Sequence, residues 1–357
     1  MQENRDLLLS LLQRHRELGI SDQIDYDKFY LYSIITHSTA IEGSTVTEVE
    51  ALLLFDEGIT SSKRTMLEQM MNLDLKVAYE YGMEWIKQHK PITVDWLITL
   101  ASKVMAHTGG EYHSLGGDFS AAKGELRKLN VTAGFGGRSY MSYLKVPSRL
   151  ETFCEELNRR RKLIDVNDII SIYELSFWAH YELVTIHPWA DGNGRTTRLL
   201  MNLLQMEFNV LPTKVLKEDK AEYIQALIDT RENDDISIFQ NCMTRLHCLH
   251  LKSDIDQFVA SMDEEMVDKS NSEQKMVDKF DFEKELVEKW SIKPSIAQKM
   301  ADILHFVRGK ECFTAELVVQ QFKLTSTTVK RYLRQLTEFG YIEAHGGNKN
   351  RTYTLKK

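Results

Sequence analysis

The sequence has few of the features that place a chain in a membrane or an oxidising compartment. No uninterrupted apolar run approaches the ~20 residues that a membrane-spanning helix needs. The N-terminal segment MQENRDLLLSLLQRHREL interrupts its leucines with acids and arginines, so we expect no signal peptide. The 4 cysteines are scattered without the spacing of a disulfide framework. These absences favour a soluble cytoplasmic protein without a membrane partner.

Cysteine and histidine come close together around Cys242 and the segment HCLH at residues 247–250. Their spacing matches no common zinc site, and the segment has the pattern of an amphipathic helix. We therefore expect no zinc there, and we keep the zinc site as a minor alternative.

The chain carries its charge unevenly. Its 357 residues allow two domains and a small third, and its formal net charge is −7. Residues 293–357 contain 12 Lys and Arg against 5 Asp and Glu, whereas the remainder contains 33 against 47. A small basic domain on an acidic body predicts two different kinds of partner.

Hydrophobic periodicity predicts a mainly α-helical chain in four parts. Apolar residues at three- and four-residue spacings predict a helical region over residues 1–95 and a helical core over residues 96–250. Within the core, two short alternating runs flank the glycine-rich GFGG, which predicts a β-hairpin over residues 126–146. Residues 251–292 are highly charged and predict a partly helical linker. Residues 293–357 form a separate unit.

The stretch IHPWADGNGRTTR, residues 186–198, concentrates groups that suit phosphate chemistry. Its flanking segments have the pattern of buried helices, and Gly192 and Gly194 create a turn that opens the second helix. A helix N-terminus after such a turn presents free backbone N–H groups and a partial positive charge, which together bind phosphate. Asn193 tolerates the unusual backbone of the turn and can donate from its side chain.

Charged side chains of this stretch extend the prediction. Arg195 and Arg198 are three residues apart on one helix face, so both can fork onto phosphate oxygens. Asp191 would repel a phosphate unless a divalent cation intervenes, which predicts Mg²⁺ at this carboxylate. His187, with an ordinary imidazole pKa of about 6.5, can take a proton from an incoming nucleophile. The plainer alternative is a helix stop at His187-Pro188 followed by an ordinary glycine-rich helix start.

The stretch resembles the signature of the Fic family, H-P-F-x-(D/E)-G-N-G-R-x-x-R. It matches except at Trp189, where phenylalanine is usual and where another large aromatic can fill the same buried place. The preceding AHYELVTIH also resembles the family's lead-in helix, and the resemblance covers about residues 95–240. It implies a Fic-type helical bundle with a β-hairpin flap. Most Fic proteins transfer AMP from ATP to a Ser, Thr or Tyr hydroxyl of a protein and release pyrophosphate.

By position, the resemblance implies roles for single residues. His187 would be the general base on the target hydroxyl, and Asp191 would hold Mg²⁺ against the α- and β-phosphates. Arg195 would bind the nucleotide phosphates and Arg198 the γ-phosphate. The anion hole would consist of Gly192, Asn193 and Gly194.

Two further assignments rest on the same resemblance. The hairpin at residues 126–146 is similar to the family's flap, which holds the target segment by strand pairing; a plain structural excursion is the alternative. Tyr223, in the helix of KEDKAEYIQAL, would flank the adenine; packing in the core is the alternative.

The stretch STAIEG, residues 38–43, resembles the family's inhibitory motif (S/T)-x-x-x-E-(G/N). Its position upstream of the signature marks the class whose inhibitory helix lies N-terminal in the same chain. The resemblance implies that Glu42 pairs with Arg198 and keeps the γ-phosphate of ATP from its productive position, while Ser38 steadies the helix end. Such a pair is expected, because an unpaired buried arginine is costly. A plain helix end with Gly43 as its C-cap is the alternative.

The basic C-terminal unit resembles a winged helix-turn-helix. Its pattern predicts a helix over residues 314–322, a second over 326–339, and a hairpin with its tip at 346–348. Residues suited to groove and phosphate contacts on the second helix and the hairpin are Thr327, Thr328, Lys330, Arg331, Arg334, Lys349 and Arg351. DNA binding through residues 313–355 is one prediction, and a protein-binding or dimerising module is the alternative.

The whole chain is thus predicted to be a self-inhibited, Mg²⁺-dependent protein adenylyltransferase with ATP as its substrate. Its target would be another protein or the chain itself, and a homodimer is a further expectation because Fic proteins often associate. A DNA-binding regulator that uses the fold as an ATP sensor is one alternative, although His187 and Asp191 are intact. Transfer of another group, such as UMP or phosphocholine, is a second. In some relatives the inhibitory glutamate positions a water for AMP removal, and the sequence leaves that activity open.

Overall fold

The structure is a computed structural model. It describes residues 2–133, 139–290, 292–308, 310–347 and 351–356, with the side chains of 263–283 left aside. The chain divides into two compact units, Met1–Phe258 and Val259–Lys357. Within the described ranges, no helix has the length and apolar character needed to cross a bilayer.

The first unit is built almost entirely of α-helices, which confirms the predicted fold class. Its helices are α1 (Gln2–Glu17), α2 (Tyr26–Ile41), α3 (Glu48–Glu57), α4 (Met66–Ile86), α5 (Val94–Val104), α6 (Val146–Leu163), α7 (Ile169–Ile186), α8 (Asn193–Glu207) and α9 (Lys220–Asn233). A further helix, α10 (Ile236–Glu288), includes most of the segment predicted as a linker. A short antiparallel pair, β1 (Glu111–Tyr112) and β2 (Phe119–Ser120), lies between α5 and α6 and had no signal in the sequence.

Local chemistry explains where several of these helices begin. Thr47 and Thr65 start α3 and α4 as N-caps, each accepting a hydrogen bond from the N–H three residues on. Glu50 and Glu68 return the bond to the cap backbone, which completes a capping box at each start. Both helices therefore have fixed starting points.

Helix α8 lies at the centre of this unit. It packs against α2, α4, α5 and α7, and almost every side chain on it is buried. At Gly82 of α4, an added Cβ would lie 2.3 Å from Leu203 Cδ1, so glycine permits the close approach of α4 and α8. Because α8 is enclosed, its first turn is held rigidly.

The C-terminal end of α8 carries a buried ion pair. Glu207 Oε1 lies 2.5 Å from Arg161 Nη2, and the exposed fractions of the two side chains are 3% and 7%. His89 Nδ1 lies 3.0 Å from the same carboxylate oxygen. These contacts fasten α6 and the end of α4 to the central helix.

The predicted hairpin contains one antiparallel bridge in the described part of the chain. Thr132 pairs with Ser139, and the Tyr140 N–H donates to the Val131 carbonyl at 3.0 Å. The tip, residues 134–138, lies outside the described residues. The hairpin stems thus lie between β2 and α6.

The second unit contains helices and hairpin strands close to the predicted ranges, together with a helix and a short strand that were not predicted. They are α11 (Pro294–Val307), β3 (Phe313–Thr314), α12 (Ala315–Phe322), α13 (Ser326–Glu338), β4 (Ile342–His345) and β5 (Thr352–Leu355). The strands form an antiparallel sheet in the order β3-β5-β4. Val318, Val329 and Leu333 are completely buried in its small core. Asn348 of the predicted hairpin tip and the neighbouring Lys349 lie outside the described residues.

The buried ion pair predicts that removing one partner destabilises the protein more than removing both. Arg161→Met should lower the free energy of unfolding by about 3 to 5 kcal/mol, because the Glu207 carboxylate loses its guanidinium inside the core. The double variant Arg161→Met/Glu207→Leu should lose much less, since it leaves no charge buried. Urea denaturation of the full chain, followed by tryptophan fluorescence, compares the two variants. Equal losses would contradict this account.

Candidate functional site

The site is built on the turn that joins α7 to α8. His187 adopts a left-handed backbone conformation (φ 52°, ψ 63°), and its N–H donates to the Leu183 carbonyl at 3.1 Å. Gly192 follows with φ 81° and starts α8. A non-glycine residue in this region costs of the order of 1 to 3 kcal/mol and persists only where its surroundings fix it. The turn therefore stores strain at His187, the residue predicted to act as the general base.

The turn is fastened from its inner side. Trp189 is 1% exposed, and its indole N–H donates to the Gly124 carbonyl at 2.9 Å. Asn193 accepts the Trp189 N–H through Oδ1 at 3.1 Å and donates from Nδ2 to the Trp189 carbonyl at 2.8 Å. The Asn193 amide thus closes the turn on itself, and Trp189 fills the buried place proposed for it.

A side chain at either glycine of the turn would have to displace a neighbouring side chain. A Cβ on Gly192 would lie 2.6 Å from Met105 Sδ, and a Cβ on Gly194 would lie 2.5 Å from Glu42 Oε1. Because neither residue has a side chain, a hydrogen-bond acceptor can approach the backbone of the first turn of α8. The unpaired N–H groups of such a turn, with the helix dipole behind them, favour an anion.

Asp191 is the exposed group of the turn. Its side chain is 55% exposed, its Oδ1 accepts the Gly192 N–H at 2.6 Å, and it lies 3.8 Å from Arg195 Nη2. Within the described ranges, no group of three or more His, Cys, Asp and Glu side chains could hold a metal ion. A single carboxylate suits Mg²⁺, which commonly takes one or two carboxylates and completes its shell with substrate phosphates and water.

Arg195 is a buried cation with little neutralisation. Its side chain is 4% exposed, and its nearest polar contacts are Met105 Sδ at 3.0 Å and Thr108 Oγ1 at 3.4 Å. Its Nε has no hydrogen-bond partner among the described residues. Burial lowers the pKa of the guanidinium, and Asp191 and Glu42 act against that effect. Such a group at a helix N-terminus is suited to a phosphate.

Arg198 lies on the same helix but contacts a different element, the C-terminal end of α2. Its Nη2 lies 2.6 Å from Glu42 Oε1 and 3.0 Å from the Ser38 carbonyl, and its Nε donates to Ser38 Oγ at 2.9 Å. The exposed fractions of the Arg198 and Glu42 side chains are 4% and 34%. Burial raises the Glu42 pKa, but Arg198 outweighs it and the pKa lies below its usual range. Glu42 is therefore an anion at neutral pH.

Other residues hold the end of α2 in this position. Thr39 Oγ1 donates to Asn72 Oδ1 at 2.9 Å, and Asn72 Nδ2 donates to Ser44 Oγ at 3.2 Å. Lys220 Nζ, from the start of α9, donates to the Ile41 carbonyl at 2.8 Å. The residue after Glu42 is Gly43, with φ 107°, which ends the helix. Glu42 is thus presented to Arg198 by a rigid helix end.

His187 lies beneath the hairpin. Its ring stacks on Tyr140 with centroids 3.8 Å apart and planes 16° apart, and its Nδ1 lies 3.3 Å from the Val184 carbonyl. Arg231 lies over the other ring of this pair, 5.4 Å from the Tyr140 centroid. Burial, with smaller effects from Arg127 and Arg231, lowers the pKa of His187 to about 4. Its imidazole is neutral at physiological pH, as a proton acceptor must be.

Tyr223 is buried behind the arginines. It is 2% exposed, and its hydroxyl lies 2.8 Å from His180 Nε2, which is also 3.4 Å from Thr197 Oγ1. Burial lowers the His180 pKa to about 3, so this ring is neutral. The contact with the adenine remains a prediction for Tyr223. Its burial agrees with the alternative that Tyr223 packs in the core.

The cysteine and histidine side chains of α10 do not point to a common site. Cys242 Sγ lies near Glu222, His247 contacts the Tyr173 hydroxyl at 3.0 Å, and His250 contacts Asp219 at 2.6 Å. These side chains have separate partners, as expected of a helix that packs on several neighbours.

Three residues of the site had no signal in the sequence. Asn72 and Lys220 hold the end of α2, and Arg127 joins the hairpin to the His187 turn. Each acts through contacts between segments that are distant in sequence. Neither periodicity nor a motif reports such contacts.

Comparisons with known proteins agree with this geometry. The sequence model of the Fic/DOC family matches residues 91–205. The "Protein adenylyltransferase Fic" of Drosophila erecta is 27% identical over 210 residues, which cover 56% of this chain and 37% of that protein. The protein of the same name from Nematostella vectensis is 29% identical over 203 residues, which cover 56% of this chain and 43% of that protein. The chain thus spans less than half the length of these curated relatives.

Solved structures show the same fold. Fic-1 from Caenorhabditis elegans is 22% identical with a TM-score of 0.55, and the alignment covers 74% of each chain. A Fic family protein from Desulfovibrio desulfuricans is 16% identical with a TM-score of 0.53, and the alignment covers 98% of this chain and 96% of that one. Residues 91–205 therefore match the Fic/DOC family model, and the chain shares its fold with solved Fic proteins.

Proposed function

We propose that the protein is a Mg²⁺-dependent protein adenylyltransferase that Glu42 holds in an inhibited state. The observation that carries this proposal is the position of the Glu42 carboxylate, 2.6 Å from Arg198 Nη2 and directly against Gly194 in the first turn of α8. An anion of the chain itself thus lies at the arginine that the family resemblance assigns to the γ-phosphate, which supports the proposal. Relatives named protein adenylyltransferase support the choice of reaction.

The chemistry follows from the groups around the turn. Neutral His187 takes the proton of a Ser, Thr or Tyr hydroxyl on the target protein, and the oxygen attacks the α-phosphorus of ATP. The bond from that phosphorus to the bridging oxygen of the β-phosphate breaks, and pyrophosphate leaves. Arg195 and the N–H groups of the α8 first turn stabilise the charge on the phosphate oxygens.

Asp191 is the residue that would hold Mg²⁺. The ion would neutralise charge on the nucleotide and orient its phosphates, and one exposed carboxylate beside the anion cradle is enough protein ligand for that purpose. Arg195, 3.8 Å from this carboxylate, would lie on the same phosphates.

Inhibition arises because Glu42 and the γ-phosphate of ATP compete for Arg198. While Glu42 and Ser38 hold this guanidinium, the γ-phosphate of ATP lacks its cation and meets the Glu42 carboxylate instead. Repulsion between the two anions displaces the triphosphate and misaligns the α-phosphate for attack. Releasing Glu42 therefore restores a productive site without moving α8.

Removing the Glu42 carboxylate should activate the enzyme. In a transfer assay with α-labelled ATP and Mg²⁺, Glu42→Gly should label protein roughly 5- to 150-fold faster than the wild type, the usual range for a coupling of this kind. Glu57→Gly, at the exposed end of α3, should leave the rate unchanged and is the matched control. Adding His187→Ala to Glu42→Gly should abolish labelling. Equal rates for wild type and Glu42→Gly would exclude Glu42 as the brake.

The depressed pKa of His187 predicts activity at mildly acidic pH. At pH 5.5 an imidazole with the ordinary pKa of about 6.5 is about nine-tenths protonated. With a pKa of about 4, His187 stays neutral there. The Glu42→Gly variant, saturated with Mg²⁺ and ATP, should thus lose less than about half its rate between pH 7.5 and 5.5 and fall steeply near pH 4. A tenfold loss by pH 5.5 would show that the base titrates as an ordinary histidine.

The second unit supports a second candidate function, binding of DNA by a winged helix. Lys330, Arg331 and Arg334 lie on the exposed face of α13, whose opposite face is buried by Val329 and Leu333. Such a row of cations on a helix followed by a β-hairpin suits the major groove and its phosphates. In that role the unit would bring the transferase, or a nucleotide sensor with the same fold, to nucleic acid.

Neutralising this row should weaken binding to duplex DNA. The triple variant Lys330→Ala/Arg331→Ala/Arg334→Ala should bind a random-sequence duplex at least about 10-fold more weakly at low salt, with a salt slope reduced by about 2 to 3. Lys293→Ala/Lys299→Ala, which removes two exposed charges at the N-cap and on the surface of α11, is the control and should change binding little. Fluorescence anisotropy across a salt series measures both. No binding by the wild type at low salt would favour a protein partner for this unit.

A further inference from the structure

Arg127 links the hairpin to the catalytic turn through four hydrogen bonds. Its Nε donates to the His187 carbonyl at 2.7 Å, and its backbone N–H donates to the Pro188 carbonyl at 2.9 Å. Its Nη1 donates to the Leu129 carbonyl at 2.8 Å and its Nη2 to the Met141 carbonyl at 2.6 Å. One side chain therefore holds both stems of the hairpin and the backbone of His187.

This guanidinium is buried without a carboxylate among the described residues. Arg127 is 1% exposed, and its side-chain partners are main-chain carbonyls from three segments. Burial lowers its pKa, as expected of a cation that lacks an anion. A hydrophobic side chain would satisfy burial at lower cost. A planar fork that reaches three carbonyls in fixed directions is the one property that arginine adds here.

The contact at His187 acts on a strained residue. His187 has φ 52°, a conformation that must be fixed from outside, and Arg127 holds its carbonyl while the Leu183 carbonyl holds its N–H. The hairpin makes a second contact with His187, because Tyr140 stacks on its ring. Tyr140 is followed by Met141, whose carbonyl accepts a hydrogen bond from Arg127. The direction of the imidazole and the position of the hairpin thus depend on the same group.

We propose that Arg127 is a positioning residue that sets the hairpin and His187 as one unit, so that a hydroxyl held along the hairpin meets the base. This inference rests on the proposed transferase function. A shift of about 1 Å between a base and its substrate can cost about 100-fold in rate. The nucleotide contacts come from α8 and are not carried by Arg127, so loss of Arg127 should impair transfer and spare nucleotide binding.

The test uses the full chain in the Glu42→Gly background, with Arg127→Met and Arg127→Lys as variants. Arg127→Met should lower protein labelling from α-labelled ATP about 100-fold, while the calorimetric Kd for Mg²⁺ and ATP changes less than twofold. Arg127→Lys retains the charge and can reach one or two of the carbonyls, so it should recover much of the rate. Arg161→Met, which removes a buried arginine at the other end of α8, is the matched control. Assayed below its unfolding temperature, it should label at the parent rate.

Hydrogen exchange supplies a readout that does not depend on activity. Arg127→Met should speed amide exchange at residues 128–133 and 139–142 and leave the amides of α8 unchanged. Unchanged labelling, or loss of ATP binding in step with labelling, would overturn the inference. If the Glu42→Gly parent labels nothing, the proposed function fails, and the exchange data alone decide whether Arg127 joins hairpin and turn: unchanged exchange at both stems would overturn that link.

Discussion

The positive charge gathered at the N-terminal end of α8 requires an anion, and the rest of the site is arranged around that requirement. Two buried arginines, the first-turn N–H groups and the helix dipole all face one small volume. Positive charge gathered in this way is unfavourable unless an anion satisfies it. In the structure Glu42 supplies that anion for Arg198, whereas Arg195 keeps an Nε without a hydrogen-bond partner in the described part of the chain.

The fold holds the helices around this positive charge in fixed positions. Helix α8 is enclosed by α2, α4, α5 and α7, and its far end is fixed by the buried pair of Glu207 and Arg161. The α2 end that presents Glu42 is held by Asn72 and Lys220. The parts left free to move are therefore side chains such as that of Glu42, so the proposed switch needs no unfolding of the core.

The sequence predicted the parts of the site that short stretches encode. The motif at residues 186–198 contains its own turn, helix start and cations, so its spacing predicts that local arrangement, while the roles of its residues come from the family resemblance. The contact of Glu42 with Arg198 was also predicted, because the resemblance of residues 38–43 to the inhibitory motif implied it. The exact use of Asn193 was not predicted: its amide closes the turn with Trp189. Arg127, Lys220 and the β1–β2 pair also lacked a signal, since each depends on contacts between segments brought together by folding.

The central claim is that Glu42 and the γ-phosphate of ATP compete for Arg198. The most direct test is the ratio of the ATP and ADP affinities, measured calorimetrically with Mg²⁺ for the wild type and for Glu42→Gly. The account predicts that the wild type gains little from the γ-phosphate, and that Glu42→Gly binds ATP about 10-fold more tightly than ADP. The same ratio in both proteins would contradict the competition and leave the observed ion pair without a regulatory role.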